Sequence, residues 1–121
     1  MKDRLTHEDS HRLVELGVNE YKASKRIKVY QRIDAVYGYL APIFTIEDIL
    51  SFLPTEITDH IGTYGLRMEF GECGWSAYYV DYGIDGDDDE PYADGIFIAP
   101  ELIDVLFELL VWCITNKYLK L

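Results

Sequence analysis

Between Leu102 and Ile114 the apolar residues, among them Leu102, Ile103, Val105, Leu106, Leu109, Leu110, Trp112, Cys113 and Ile114, leave a helix only one narrow polar stripe, made of Glu101, Asp104 and Glu108. A helix apolar over so much of its circumference must be covered on most sides. Either the rest of the chain wraps around it or a second copy covers part of it. Pro100 suits the first helical turn, where its missing N–H costs nothing, and Glu101 and Asp104 favour the positive end of the helix. Lys117 and Lys120 fall near or beyond the negative end. The run is broken by Glu108 and is too short to span a bilayer.

The elements that could do the wrapping are partly legible. Thr6-His7-Glu8-Asp9 fits a capping box, Leu13, Val14 and Leu16 follow at helical spacing, and Gly17 supplies a stop. A helix over about 7–16 is expected. Thr45-Ile46-Glu47-Asp48 repeats the capping logic, with a stripe of Ile46, Ile49, Leu50 and Leu53 and a stop before Pro54. Residues 64–70 alternate, with Tyr64, Leu66, Met68 and Phe70 on one face. Along 75–82, Trp75 and Tyr79 share one face, Tyr78 and Tyr82 the other, and Glu72-Cys73-Gly74 makes a short hairpin loop. Gly95-Ile96-Phe97-Ile98 suits a third short strand. From Ala23 to Phe44 both periods fit, and β-branched and aromatic enrichment favours extended structure with breaks at Gly38 and Pro42. The expectation is one α+β domain over residues 1–121, with about three helices packed on a small antiparallel sheet of about three strands.

Charge divides the chain. Residues 1–33 hold eight Lys/Arg against five Asp/Glu, and residues 34–121 hold three against seventeen, giving −11 overall. Such a field disfavours nucleic acid and acidic membranes within a Debye length of roughly 8–10 Å, and favours a partner with a basic surface. The first residues, Met1-Lys2-Asp3-Arg4-Leu5, lack the apolar stretch of a secretory signal, and Cys73 and Cys113 are not closely spaced. A cytoplasmic protein with reduced thiols is expected.

The chemistry-bearing residues do not converge on a motif. In Asp85-Gly86-Asp87-Asp88-Asp89-Glu90 the sixth and twelfth positions are Glu90 and Ile96, which breaks the EF-hand pattern. Cys73 would need a base, and the histidines are His7, His11 and His60. His7 and His11 share a helix face at metal-binding spacing, but no acid or thiol is tied to them by sequence. No cofactor, metal or catalytic constellation is expected. Lys22, Lys25, Arg26, Lys28 and Arg32, interleaved with Tyr21 and Tyr30, could touch a phosphate backbone, but a counter-charge to the acidic half accounts for them better. Aromatics next to acids suit a protein interface. The candidate binding residues are therefore Tyr78, Tyr82, Asp85, Asp87, Asp88, Asp89, Glu90 and Tyr92.

Three segments, Leu5–Glu8 through Glu15–Val18, Phe44–Leu50 through Leu53-Pro54, and Ala99–Asp104 through Trp112-Cys113, together resemble a group of small proteins of unknown function from gut-bacterial genomes, their phages and mobile elements. These segments are helix starts and core faces, so the resemblance implies a shared fold and no catalytic residues. It also points to a role in host–phage conflict. The expected function is a non-enzymatic, acidic, protein-binding accessory factor. Three alternatives stand beside it: a nucleic-acid mimic inhibiting a defence or nucleic-acid enzyme, a homo-oligomeric structural protein joined through the C-terminal helix, and a small enzyme using Cys73.

Overall fold

The computed structural model describes residues 2–29, 38–58, 62–82, 89–91 and 96–119. Among them the chain order is α1 (His7–Glu15), a 3₁₀ turn (Glu20–Lys22), β1 (Lys25–Val29), β2 (Tyr39–Ile43), α2 (Ile46–Phe52), β3 (Glu56–Thr58), β4 (Thr63–Gly71), β5 (Gly74–Tyr82), β6 (Asp89–Pro91), β7 (Phe97–Ala99) and α3 (Leu102–Thr115). The fold is α+β, and its strands form two antiparallel sheets. β1 and β2 pair as a ribbon, with Ile27 opposite Ala41. β3, β4 and β5 lie side by side, and the far edge of β5 is shared by β7 at Trp75–Ala77 and β6 at Val80–Tyr82.

Local chemistry sets the helix ends. Thr6 Oγ1 accepts from the Asp9 N–H (3.2 Å) to start α1. At its end Gly17 N–H donates to the Val14 carbonyl and Val18 N–H to the Leu13 carbonyl, each at 3.0 Å, with Gly17 at φ +107°. This pair of bonds is a Schellman closure, which needs a left-handed residue where glycine is cheapest. α3 closes the same way, with Lys117 N–H on the Ile114 carbonyl (3.1 Å) and Tyr118 N–H on the Cys113 carbonyl (2.9 Å). Here the left-handed position is filled by Lys117 at φ +62°. α2 carries both halves of the capping box: Asp48 N–H donates to Thr45 Oγ1 (3.2 Å) and Thr45 N–H to Asp48 Oδ2 (2.9 Å).

The core forms around α3, as its composition demands. Ile103, Val105, Leu106, Phe107, Leu109, Leu110 and Cys113 are buried, together with Leu5, Leu13, Phe44, Ile49, Leu53, Ile57 and Tyr79 from the surrounding elements. Each large side chain buried this way contributes about 1.5–3 kcal/mol. Tyr79 stacks on Trp112 (centroids 6.3 Å apart), and its hydroxyl donates to the Pro54 carbonyl (2.6 Å). Burial, then the neighbouring Cys113, push its phenol above the ordinary range. Burial pushes the Cys113 thiol up to about 11, against the opposing effect of its contact with the Tyr79 hydroxyl.

The structure departs from the sequence expectations at several points. The larger sheet has two strands beyond the three expected, because β3 and β6 have three residues each, too few to show a period, whereas the expected third strand is present as β7, at Phe97–Ala99. Pro42 does not break the chain but sits within β2 opposite Arg26, a place open to proline where its nitrogen is not needed as a donor. Leu50 is exposed, since α2 turns Asp48, Ile49, Phe52 and Leu53 inward and the buried carboxylate takes the place assigned to a leucine. Pro100 precedes α3, and Glu101 is its N-cap residue without a side-chain cap bond. The strand pairing of β7 runs to Ala99 and delays the helix start. Residues 30–37 of the ambiguous stretch lie outside the described residues.

Candidate protein-binding surface

β4 and β5 present two faces. Leu66 and Tyr79, Met68 and Ala77, and Phe70 and Trp75 are paired on the face that meets α3. Arg67 and Glu69 of β4, Ser76 and Tyr78 of β5 and Ile98 of β7 share the opposite face, with Tyr78 paired to Arg67 and Ser76 to Ile98. This second face is covered at one end, where Val80 is fully buried opposite Gly65, and exposed at the other, toward Ile98. Ile98 is 61% exposed, and Ile96, two residues back, is 49% exposed. Tyr78 is half-buried among them. The Arg67 Nε lies 3.9 Å from Glu69 Oε1, a surface pair that adds little stability.

The same sheet carries an acidic edge. Glu69 and Glu72 are exposed near the hairpin turn. At the other end β6 places Asp89 opposite Tyr82 and Glu90 opposite Asp81. Tyr82, Asp89 and Glu90 thus come together by strand pairing, on the same sheet as Tyr78. The acidic stretch expected as a loop from Asp85 to Asp94 is a paired strand at Asp89–Pro91. Asp85, Asp87, Asp88 and Tyr92 lie outside the described residues.

The sequence reading missed the two isoleucines, although the pattern that finds them is short and plain. In Ile96-Phe97-Ile98 the central phenylalanine packs against the core cluster, so strand alternation sends both neighbours the other way. Phe70, placed on the apolar face, is 70% exposed at the tip of the hairpin and touches the Trp75 ring (centroids 5.2 Å).

The catalytic and metal candidates do not assemble among the described residues. Cys73 is exposed in the turn between β4 and β5; the recess beside it is lined by Glu69, Phe70, Gly71, Glu72, Gly74, Ser76 and Ile98, none of which is a general base of the histidine type. His7 and His11 stack on α1 with centroids 6.2 Å apart, and His11 Nε2 is 2.8 Å from Glu15 Oε1. Among the described residues no group of three or more His, Cys, Asp or Glu is placed to hold a metal ion, and no helix is long and apolar enough to cross a membrane. His60 lies outside the described residues.

Comparison with protein-family models, with curated proteins and with solved structures finds no match to this chain.

Proposed function

We propose that this chain is a non-enzymatic, cytoplasmic protein-binding accessory factor that presents the exposed part of one face and the acidic edge of its five-stranded sheet to a partner with a basic surface. The observation that carries the reading is the pair Ile96 and Ile98, left exposed on a sheet face whose strands also bear Tyr78, Glu69, Asp89 and Glu90. An apolar centre with an acidic rim is the composition of an interface that buries its middle and steers by its edge. The resemblance to proteins of gut bacteria and their mobile elements suggests a host or phage protein as the partner.

The test is affinity capture from a gut-bacterial lysate, in low and high salt, with three baits: the wild type, Ile96→Asp/Ile98→Asp, and Asp89→Asn/Glu90→Gln. A partner with a basic surface should be held by the wild type, lost by the isoleucine variant, and weakened by the amide variant or by salt. If all three folded baits hold the same proteins, the sheet face is not the interface. If the partner is a nucleic-acid enzyme displaced by its own substrate, mimicry becomes the specific form of the function.

A further inference from the structure

A cavity of about 300 Å³ opens between the end of α1, the 3₁₀ turn, the end of α2 and the chain beyond α3. That volume lies at the lower end of the range for small-molecule sites. Segments far apart in sequence build its apolar wall. Val18, 3% exposed, follows α1; Phe52 ends α2 and meets the Phe44 ring edge-on (centroids 5.7 Å apart); Leu119 packs on the core past α3. The polar side chains of the wall are Asn19, Lys22 and Ser51.

The bonds these three already make show what each has left to offer. Asn19 Oδ1 accepts from the Tyr21 N–H (3.0 Å), which leaves its NH₂ group to donate. The Ser51 hydroxyl donates to the Asp48 carbonyl (2.6 Å), which leaves its oxygen to accept. Lys22 is the charged residue among the described ones of the wall. The ion pairs among the described residues join Lys2 to Asp104, Arg4 to Asp3, His11 to Glu15 and Arg67 to Glu69, and do not include Lys22. Lys25 differs. It serves as the expected counter-charge, since the Asp3 carboxyl is held below its ordinary value first by the hydrogen bond from Arg4 and more weakly by Lys25.

Donors on Asn19 and Lys22 suit an anionic head group. A cation is the rival, because helix C-termini attract one through their unpaired carbonyls. Here the α1 carbonyls of Arg12, Leu13 and Val14 already accept from the N–H groups of Leu16, Val18 and Gly17, at 3.0 Å each. At the end of α2 the Ile49 carbonyl accepts from the Leu53 N–H (3.0 Å). Lys22 remains as the full charge in the wall, and it repels a cation. The chain's −11 opposes an anion at long range, but salt screens it beyond a Debye length of about 8–10 Å, so the local charge sets the head group.

We infer that this cavity binds a small apolar monocarboxylate. Its carboxylate accepts from Lys22 Nζ and Asn19 Nδ2, and its chain or ring lies on Val18, Phe52 and Leu119. The site shares no residue with the surface on the five-stranded sheet and does not depend on it.

The experiment titrates octanoate, octanol and octylammonium, each below its micelle concentration, into the isotope-labelled full chain and follows amide shifts by NMR. Octanoate should bind saturably and shift the amides of residues 17–22 and 51–52. It should bind about tenfold tighter than octanol, with octylammonium the weakest. Lys22→Glu should weaken octanoate by about tenfold and leave octanol unchanged, a split that a merely structural role for Lys22 would not give. Ser51→Trp, at an exposed helix position, should fill the cavity and abolish octanoate binding, whereas Ile98→Asp should leave it unchanged. Amide dispersion from α3 verifies that each variant is folded. Octylammonium binding as tightly as octanoate, Lys22→Glu without effect, or no saturable binding of octanoate would each overturn the proposal. So would shifts centred on Ile96 and Ile98, which would place the ligand on the sheet face.

Discussion

Asp48 is the side chain whose removal should reach furthest through the fold, and the expected cost can be built from its contacts. Its carboxylate is buried at the start of α2. Oδ2 accepts from the Ser24 N–H (2.8 Å) and the Thr45 N–H (2.9 Å), and Oδ1 accepts from the Ser24 hydroxyl. One side chain thus caps a helix and ties the entry of β1 to it. A hydrogen bond to a charged group is worth about 1.5–3 kcal/mol, less where water can replace the partner. Thr45 is buried and Ser24 is not, so one full bond and two discounted ones predict a loss of about 3 kcal/mol for Asp48→Ala. Asp48→Asn should cost about 1 kcal/mol: its oxygen can accept both N–H groups, its amide can donate to Ser24 Oγ, and only the charge is lost.

Urea unfolding followed by tryptophan fluorescence would measure both variants, and pH separates charge from shape. Burial alone would raise the Asp48 carboxyl, but the bonds from Ser24 and Thr45 outweigh it and hold the group below its ordinary value of 3.8. A carboxylate lowered on folding adds stability that is complete above its unfolded pKa and is lost as pH falls through the folded one. The gap between wild type and Asp48→Asn should therefore be constant at neutral pH and close as pH drops below about 4. Taking the difference cancels the other carboxylates, which titrate in both proteins. An Asn variant as damaged as the Ala variant, or a gap that widens in acid, would refute the account.

Three further outcomes follow from single positions. Gly74→Ala should destabilise by about 2–4 kcal/mol in the same urea assay, because Gly74 has φ +108° and a Cβ there would lie 2.5 Å from the Ala99 carbonyl oxygen, a backbone atom that cannot swing aside. Lys117→Gly should stabilise by about 0.5–1 kcal/mol, read as a higher Tm, since the left-handed closure of α3 then loses its Cβ strain. A thiol reagent at neutral pH should modify Cys73 quickly and Cys113 only on unfolding, because Cys73 is exposed and Cys113 is buried with its thiol pushed up to about 11; fast labelling of both would place Cys113 wrongly.

What the sequence made legible was what short-range chemistry controls. Thr6, Thr45, Asp48 and Gly17 mark helix ends through their own hydrogen bonds and dihedral freedom, and α1 and α2 lie within a residue of expectation. The apolar girdle of α3 required burial, and burial is what it has. What stayed hidden depended on partners distant in sequence. Lys117 closes a helix in a role whose usual marker is glycine. β6 exists by pairing with Val80–Tyr82, and nothing local in Asp89-Glu90-Pro91 asks for a strand. Asp48 was legible as a cap residue, whereas its bonds to Ser24 span 24 positions and carried no local mark.

The candidate surfaces fall where residue pattern and burial part company. On β4 the alternation of Tyr64, Leu66, Met68 and Phe70 is regular, yet burial fades from Tyr64 to exposed Phe70 along the strand. Nine residues of strand extend about 30 Å, while the fourteen of α3 extend about 21 Å; a helix of that length cannot cover the whole hairpin. Alternation therefore reports which residues share a face, and only the packed helix decides which of them leave water. The same reasoning applies to Ile96 and Ile98, on the face α3 does not cover, and to Ile27, on the strand farther from the core. Each is an apolar residue that strand propensity alone would accept but that the chain's own packing leaves in solvent. Isolated exposures of this kind are ordinary. Ile96 and Ile98 differ in their setting: Glu69 and Arg67 stand on the same face, and β6 brings Asp89 and Glu90 to the same sheet. A purely structural origin would leave the substitution Ile98→Asp without effect on any partner, whereas the proposed interface requires it to abolish capture while the fold is kept.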